Sequence, residues 1–308
     1  MPEIIDDKSE HCIPFILDRI GDHTRTHQSR GVKPPPFFVG LNGVQGAGKT
    51  TLVTALKEVL GKQHRLQPVV LSIDDLYLPR TQQEELARQH RDNPLVQHRG
   101  QPSTHDIGLG VKVFKALAGR ESNVKIPAYD KSAFNGAGDR VPETEWDIVN
   151  ADGESTEVII FEGWCVGFRA LSEDVLKRKW EAARDDFQQR GDAYPGVLGK
   201  LRLDSVQFGN EQLKAYDALT DRLGAFIHID AEDTQYVYEW RLQQEAAMRA
   251  AKGKGMTDEQ VVQFVNGYYP AYELYTDALR SGIYRDQPGR QLRLVVGKDR
   301  RVQKVYRI

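Results

Sequence analysis

The sequence contains the stretch Gly43-Val44-Gln45-Gly46-Ala47-Gly48-Lys49-Thr50, which satisfies the pattern G-x-x-x-x-G-K-[ST]. Glycines in such a loop let backbone N–H groups converge on phosphate oxygens, and the amino terminus of the following helix adds a partial positive charge. In this pattern Lys49 bridges the β and γ phosphates of ATP, and the Thr50 hydroxyl binds Mg²⁺. The stretch therefore predicts an ATP-binding loop, to which we also assign Thr51.

The segments that flank this loop have the required local pattern. An apolar run at 37–41 has the length of a buried strand, and apolar residues within 52–60 recur at helical spacing before Gly61. A second apolar run follows at 69–73 after a short connection. A strand, a helix and a strand in this order predict a parallel pair within a right-handed βαβ unit.

Further apolar runs extend this alternation along the chain. Runs of strand length occur at 124–126, 158–161 and 225–229, and the runs at 291–296 and 302–306 supply one more strand and a tail. Strands that alternate with helical patterns are typical of an open parallel sheet covered on both faces. The predicted fold class is α/β: a three-layer P-loop NTPase fold with a mostly parallel central sheet.

Four segments describe the predicted domain organisation. We assign residues 1–36 to a leader that packs on the domain, because it carries an apolar patch at Ile13, Phe15, Ile16, Leu17 and Ile20. Three consecutive prolines then end any helix there. Residues 37–308 form one P-loop domain. Within it, a charged and mostly helical stretch at about 168–222 is predicted to be an insertion, and a helix at about 232–256 is predicted to be a lid.

Composition restricts the partners that the chain can have. Its 308 residues include 42 basic and 44 acidic side chains, so the net charge of -2 offers no uniform attraction for nucleic acid or an anionic membrane. No apolar stretch approaches the roughly 20 residues that span a bilayer. Cys12 and Cys165 match no disulfide or zinc spacing, and the acidic amino terminus does not resemble a targeting signal. We expect a cytoplasmic protein and leave its oligomeric state open.

The class of nucleotide-binding protein depends on residues outside the loop. GTPases read guanine with an Asn-Lys-x-Asp segment, and no Asn in this chain is followed by Lys. Motor ATPases usually end their second acidic strand in adjacent Asp-Glu. In this chain the predicted strand at 158–161 instead ends in Ile160-Phe161-Glu162-Gly163. Glu162 is predicted to orient the water shell of Mg²⁺ at the carboxyl end of its strand, although an incidental acid at a strand end would look the same.

Two adjacent acids follow the second predicted strand. A carboxylate at this edge of the sheet can accept the proton of a hydroxyl that attacks the γ-phosphoryl group. We favour Asp74 as the base and as a further metal ligand, and we assign Asp75 and Tyr77 to the acceptor site. The alternative is that one of the acids only caps the next helix or orders the loop.

Polar loops after the strand ends offer donors for an anionic acceptor. Arg has a planar fork for a carboxylate, and Lys, His and Tyr can donate to hydroxyls. The assigned acceptor residues in these loops are Arg99, His105, Tyr129, Lys131 and Arg140. Solvated loop charges are the simpler interpretation, and the position beside the phosphate loop favours a binding role.

The predicted lid helix carries Arg241 and Arg249. A helix that folds over the γ phosphate can offer Arg to the charge that develops during transfer. The alternative is a solvated helix surface.

With these residues identified, the chain resembles the D-glycerate 3-kinase family of plants and its fungal relatives, within the wider group of uridine kinase, phosphoribulokinase and pantothenate kinase. The Tyr-Asp-Lys-Ser and Glu-Gly-Trp segments are far more selective than the phosphate loop. The segments that carry the resemblance are 43–51, 72–78, 99–100, 104–106, 127–136, 138–140, 161–164, 236–243 and 269–272.

The resemblance implies an ATP- and Mg²⁺-dependent kinase that phosphorylates the 3-hydroxyl of D-glycerate, a small acid. It implies that Asp74 is the general base and Arg241 the lid arginine, with Arg249 a weaker match. Leu76 stands where the wider group usually has Phe, and the segment 181–215 is longer than we expect for the plant enzymes. Two alternatives stay open: a kinase of the same fold for a nucleoside or a pantothenate-like acid, and an ATP-dependent switch or binding protein.

Overall fold

The computed structural model describes residues 6–151, 153, 155–253, 255–284 and 286–308. The first five residues of the predicted leader and Lys254 of the predicted lid helix lie outside them. The α-helices of the described part are α1 (Ser9–Gln28), α2 (Lys49–Lys62), α3 (Arg80–Gln89), α4 (Ile107–Ala118), α5 (Glu173–Arg190), α6 (Leu203–Leu213), α7 (Asp217–Thr220), α8 (Tyr236–Lys252) and α9 (Asp258–Ser281). Its strands are β1 (Phe37–Gly43), β2 (Pro68–Ser72), β3 (Val124–Ile126), β4 (Tyr129–Asp130), β5 (Asp139–Arg140), β6 (Asp147–Val149), β7 (Val158–Gly163), β8 (Ala225–Ala231), β9 (Gln291–Val296) and β10 (Val302–Arg307).

The central sheet has the strand order β10-β9-β8-β1-β7-β2. Its neighbours pair in parallel from β2 to β9, and β10 pairs antiparallel with β9 at one edge. This arrangement confirms the predicted fold class of a mostly parallel sheet between helices.

The predicted direct pairing of the first two strands is wrong, because β7 lies between β1 and β2. All four residues of the apolar run 158–161 in β7 are at most 2% exposed, so this strand requires neighbours on both sides and cover on both faces. The strand β2 begins with Pro68 and is only partly buried, which suits the edge of the sheet.

Helices cover both faces of the central sheet. The helix α2 buries Leu52 and Leu56 and lies with α1 against β1. On the opposite face, Phe114 of α4 packs against Phe38 of β1 and Phe161 of β7, with ring centroids 4.9 and 5.0 Å apart. The core is therefore continuous through the sheet, and the loops at its carboxyl edge remain available for a site.

Two small antiparallel ladders lie outside the central sheet. The strand β3, predicted at 124–126, pairs with β6. The segment 129–140, which belongs to the polar loops predicted after the strand ends, contains the short pair β4 and β5. The segment therefore folds back over the carboxyl edge instead of extending the sheet.

The amino-terminal end of the chain and the region before β8 contribute mainly helices. The helix α1 buries Cys12, Phe15 and Ile16 against the domain, and α5 to α7 lie between β7 and β8 in the sequence. Among the described residues, no helix combines the length and the apolar character that a membrane span needs.

Candidate active site

The phosphate-binding sequence folds as a tight loop between β1 and α2. Gly46 and Gly48 have φ angles of +83° and +94°, in the left-handed region that favours glycine. A Cβ atom on Gly46 would lie 2.5 Å from the Cβ of Trp240, so the loop touches α8 directly. Gly48 is the N-cap of α2, and the loop therefore leads straight onto a helix amino terminus.

The amine of Lys49 is held inside this loop. Its Nζ donates to the carbonyl oxygens of Gly43 at 2.6 Å and Val44 at 3.2 Å. Burial lowers the pKa of Lys49, and the negative charges of Glu162 and Asp74 act in the opposite direction. The lysine and both predicted carboxylates therefore share one electrostatic environment.

The register of the sheet explains why these acids meet. Glu162 lies beside Leu41 of β1 and Ser72 of β2, and all three strands end within two residues of that level. Asp74 follows the end of β2, and Thr50 lies exposed in the first turn of α2. Three predicted residues, Glu162, Asp74 and Thr50, are thus placed at the carboxyl edge of one sheet.

Asp74 and Asp75 face different surroundings. The Oδ2 atom of Asp74 accepts from Lys131 Nζ at 2.5 Å, while its buried Oδ1 atom has no hydrogen-bond partner among the described residues. Burial alone would raise the pKa of Asp74, but the charge and hydrogen bond of Lys131 bring it below its ordinary value. Asp75 accepts from the Tyr129 N–H at 3.2 Å, and burial raises its pKa to about 6.

Three aromatic side chains, those of Tyr77, His105 and Tyr129, lie beside the two acids and are called the aromatic group below. The ring of His105 stacks on that of Tyr77 with centroids 4.4 Å apart, and Tyr129 packs edge-on against Tyr77 at 5.4 Å. His105 Nδ1 lies 2.7 Å from the Tyr216 hydroxyl, and its buried Nε2 has no partner in the described part of the chain. Because burial lowers its pKa to about 4, His105 is neutral at pH 7.

The other predicted acceptor cations are bound to protein groups. Arg99 donates to the carbonyls of Gly136 at 2.7 Å and Lys131 at 3.3 Å, and also to that of Ala137. Arg140 donates to Asp106 Oδ2 at 3.2 Å and to the Tyr77 carbonyl at 2.9 Å. Both arginines therefore order the segment that carries Lys131.

The two predicted lid arginines lie at different levels of α8. Arg241 donates to Gln244 at 2.9 Å and lies 5.0 Å over the ring of Phe264 in α9. Arg249 bonds to the Met256 carbonyl and to Asp258 Oδ1, which ties the end of α8 to the start of α9. Trp240 of α8 contacts the phosphate loop at Gly46.

Several site residues were not identified from the sequence. The Tyr272 hydroxyl donates to Gln45 of the loop, and Trp164 packs edge-on against Tyr272 and Tyr268. Trp164 and Tyr272 fall within segments that carry the family resemblance, so that resemblance was a signal for them. Arg300, which donates to the Gly46 carbonyl at 2.8 Å, lies outside every such segment, and no sequence pattern indicated it.

Comparison with known proteins identifies the family. The D-glycerate 3-kinase of Cryptococcus neoformans superposes with a TM-score of 0.86 and 33% identity, over 99% of this chain and 100% of that one. The chain belongs to the D-glycerate 3-kinase family. An uncharacterized kinase of Schizosaccharomyces pombe is 38% identical over 81% of this chain and 84% of its own length.

The plant member of the family is longer. The chloroplastic D-glycerate 3-kinase of Arabidopsis thaliana is 35% identical over 94% of this chain, which spans 59% of the plant protein. None of the protein-family models compared with the chain matches it. The relatives confirm the resemblance inferred from the motifs and identify the family as one of ATP-dependent kinases.

Proposed function

We propose that this protein transfers the γ-phosphoryl group of Mg-ATP to the 3-hydroxyl of D-glycerate, giving 3-phosphoglycerate and ADP. The observation that carries the proposal is the carboxylate of Asp74, which interacts electrostatically with Lys49 and keeps one buried oxygen without a hydrogen-bond partner among the described residues. Membership of the D-glycerate 3-kinase family supports the choice of acceptor. Composition supports a cytoplasmic location without a nucleic-acid partner.

In this proposal the phosphate loop, residues 43–51, holds ATP, and Lys49 neutralises charge on the β and γ phosphates. As the 3-hydroxyl oxygen attacks the γ phosphorus, its proton passes to Oδ1 of Asp74. The bond from phosphorus to the bridging oxygen breaks, and ADP leaves. Because Lys131 lowers the pKa of Asp74, the base is ionised at neutral pH.

The residues at the sheet edge fit a magnesium ion. Thr50, Glu162 and Asp74 offer hydroxyl and carboxylate oxygens, which Mg²⁺ prefers. When bound with ATP, the ion would supply further positive charge for the phosphates. Arg241 and Arg249 are the proposed lid residues, and Arg241 is the better candidate for contact with the transferred group because Arg249 is bound to the turn between α8 and α9.

The acceptor would lie between Asp74 and the aromatic group. Lys131 and His105 Nε2, which has no partner in the part of the chain that the structure describes, can donate to its oxygens. Asp75, Tyr77 and Tyr129 form the wall of the site. Arg99 and Arg140 contribute by ordering the segment 129–140, with spare N–H groups for the carboxylate.

Product identification with ATP and a panel of acceptors tests the proposal. We expect D-glycerate to be converted to 3-phosphoglycerate, and glycerol, which has no carboxylate, to be a very poor acceptor. Efficient use of glycerol, a nucleoside or pantothenate would contradict the assignment. ATP hydrolysis that does not depend on any small acceptor would favour a switch or binding protein instead.

A further inference from the structure

The turn between β9 and β10 brings one arginine against both the phosphate loop and α8. Arg300 is 6% exposed, and its Nε donates to the Gly46 carbonyl at 2.8 Å. Its Nη2 donates to Gln243 Oε1 of α8 at 2.9 Å, and its guanidinium lies 5.2 Å over the ring of Trp240. One buried side chain therefore joins the loop to the helix proposed as a lid.

The backbone of this arginine is held in an unusual conformation. Arg300 has a φ angle of +66°, which costs energy for a residue with a side chain. Its carbonyl accepts from the buried Nζ of Lys8 at 2.7 Å, and the Trp240 indole donates to the neighbouring Lys298 carbonyl at 2.7 Å. The amino-terminal segment and α8 thus hold the turn from both sides.

The bond to Gly46 is made to a peptide group inside the phosphate loop. A trans peptide group points its C=O and N–H in opposite directions, so a donor on the Gly46 carbonyl fixes the plane that also contains the Ala47 N–H. That N–H closes the loop by donating to the Val44 carbonyl at 3.2 Å. Without Arg300, the half-buried Gly46 would lose this donor to its carbonyl, and the loop would gain freedom to rotate this peptide.

We propose that Arg300 is a positioning residue that keeps the phosphate loop in its nucleotide-binding shape and couples this shape to α8. The inference rests on the proposed ATP-dependent activity and not on the identity of the acceptor. It adds to the loop motif a residue 254 positions away in the sequence.

The test is direct binding of Mg-ADP to the full chain, measured by calorimetry without any acceptor. We expect Arg300→Met to raise the Kd for Mg-ADP at least tenfold, which equals about 1.4 kcal/mol. Arg300→Lys keeps the charge but cannot reach Gly46 and Gln243 together, so we expect a rise of about fivefold in Kd. The matched control is Arg301→Met, since Arg301 is exposed and makes no side-chain hydrogen bond within the described residues.

A thermal unfolding scan of each variant separates positioning from stability. A purely structural role predicts a lower Tm with an unchanged Kd in the folded protein, and this result would overturn the inference. If Arg300→Met fails to fold, the Kd of Arg300→Lys for Mg-ADP tests the inference instead. A Kd within twofold of that of the unmodified protein would then overturn the inference. Failure of the unmodified chain to bind Mg-ADP would contradict both this inference and the ATP-dependent activity, whereas failure to phosphorylate D-glycerate would affect only the acceptor.

Discussion

At the scale of single residues, the two adjacent aspartates differ in the groups that contact their carboxylates. Asp75 accepts from the Tyr129 backbone, so its carboxylate helps to hold the segment over the site. One carboxylate oxygen of Asp74 accepts from Lys131, and the other has no partner among the residues that the structure describes. The two neighbouring carboxyl groups thus face different partners, and such a difference in environment can separate their protonation behaviour.

We predict that Asp74→Asn lowers kcat by about a hundredfold or more, because the amide cannot accept the proton of the attacking hydroxyl. The KM for ATP should change little. Steady-state kinetics with D-glycerate measure both constants. Asp75→Asn is the matched control and should cost less, and the reverse order would assign the base to Asp75.

At the scale of elements, the segment 129–140 depends on contacts from outside itself. Its two strands have only two residues each, which is too short for an independent hairpin. Arg99 holds three carbonyls of this segment, and Asp139 accepts from the Arg80 N–H at 2.9 Å. The position of Lys131 beside Asp74 therefore relies on Arg99.

We predict that Arg99→Ala raises the KM for D-glycerate at least tenfold, because the segment that carries Lys131 loses its ordering contacts. The KM for ATP should stay nearly constant. Initial rates at varied concentrations of each substrate measure the two values. Arg88→Ala on α3 removes only an exposed pair with Glu85 and serves as control. An unchanged KM for D-glycerate in Arg99→Ala would show that Arg99 does not order the acceptor site.

At the scale of the whole molecule, two buried histidines connect folding to pH. Burial lowers the pKa of His105 and of His228 to about 4. His228 lies on the face of β8 near Asp230, with its Nε2 4.0 Å from Asp230 Oδ1, and Arg280 and Arg293 both bind that carboxylate. In the unfolded chain a histidine has a pKa of about 6.5, so between these values the unfolded state binds more protons.

We therefore predict that each of the two histidines lowers the free energy of unfolding by about 1.4 kcal/mol per pH unit as pH falls from about 6.5 to 4. Asp75, whose pKa is raised to about 6, acts in the opposite direction below that pH and offsets part of this fall. The variant His228→Gln should remove one of these contributions and make the dependence shallower. Urea unfolding at several pH values measures the slope. The exposed His64 provides a control, since His64→Gln should leave the slope unchanged. An unaltered slope in His228→Gln would contradict the prediction.

The sequence by itself determined those features that depend on neighbouring residues. The loop at 43–50, the helix after it and the acids at strand ends are contiguous patterns, since a strand, a glycine loop and a helix amino terminus together form a phosphate site. The apolar runs likewise indicated the strands of the central sheet and its mostly parallel class. The segment motifs also indicated the family.

Only the tertiary structure decided which distant residues meet. The structure places β7, which is fully buried along its apolar run, between β1 and β2. An apolar run predicts a buried strand, but it does not indicate which strands lie beside it. The partners of Arg99 and Arg140 depend on how the segment 129–140 folds over the sheet edge. Arg300 reaches Gly46 only because β9 carries its turn past the loop. Such contacts arise from packing between elements, and no local pattern records them.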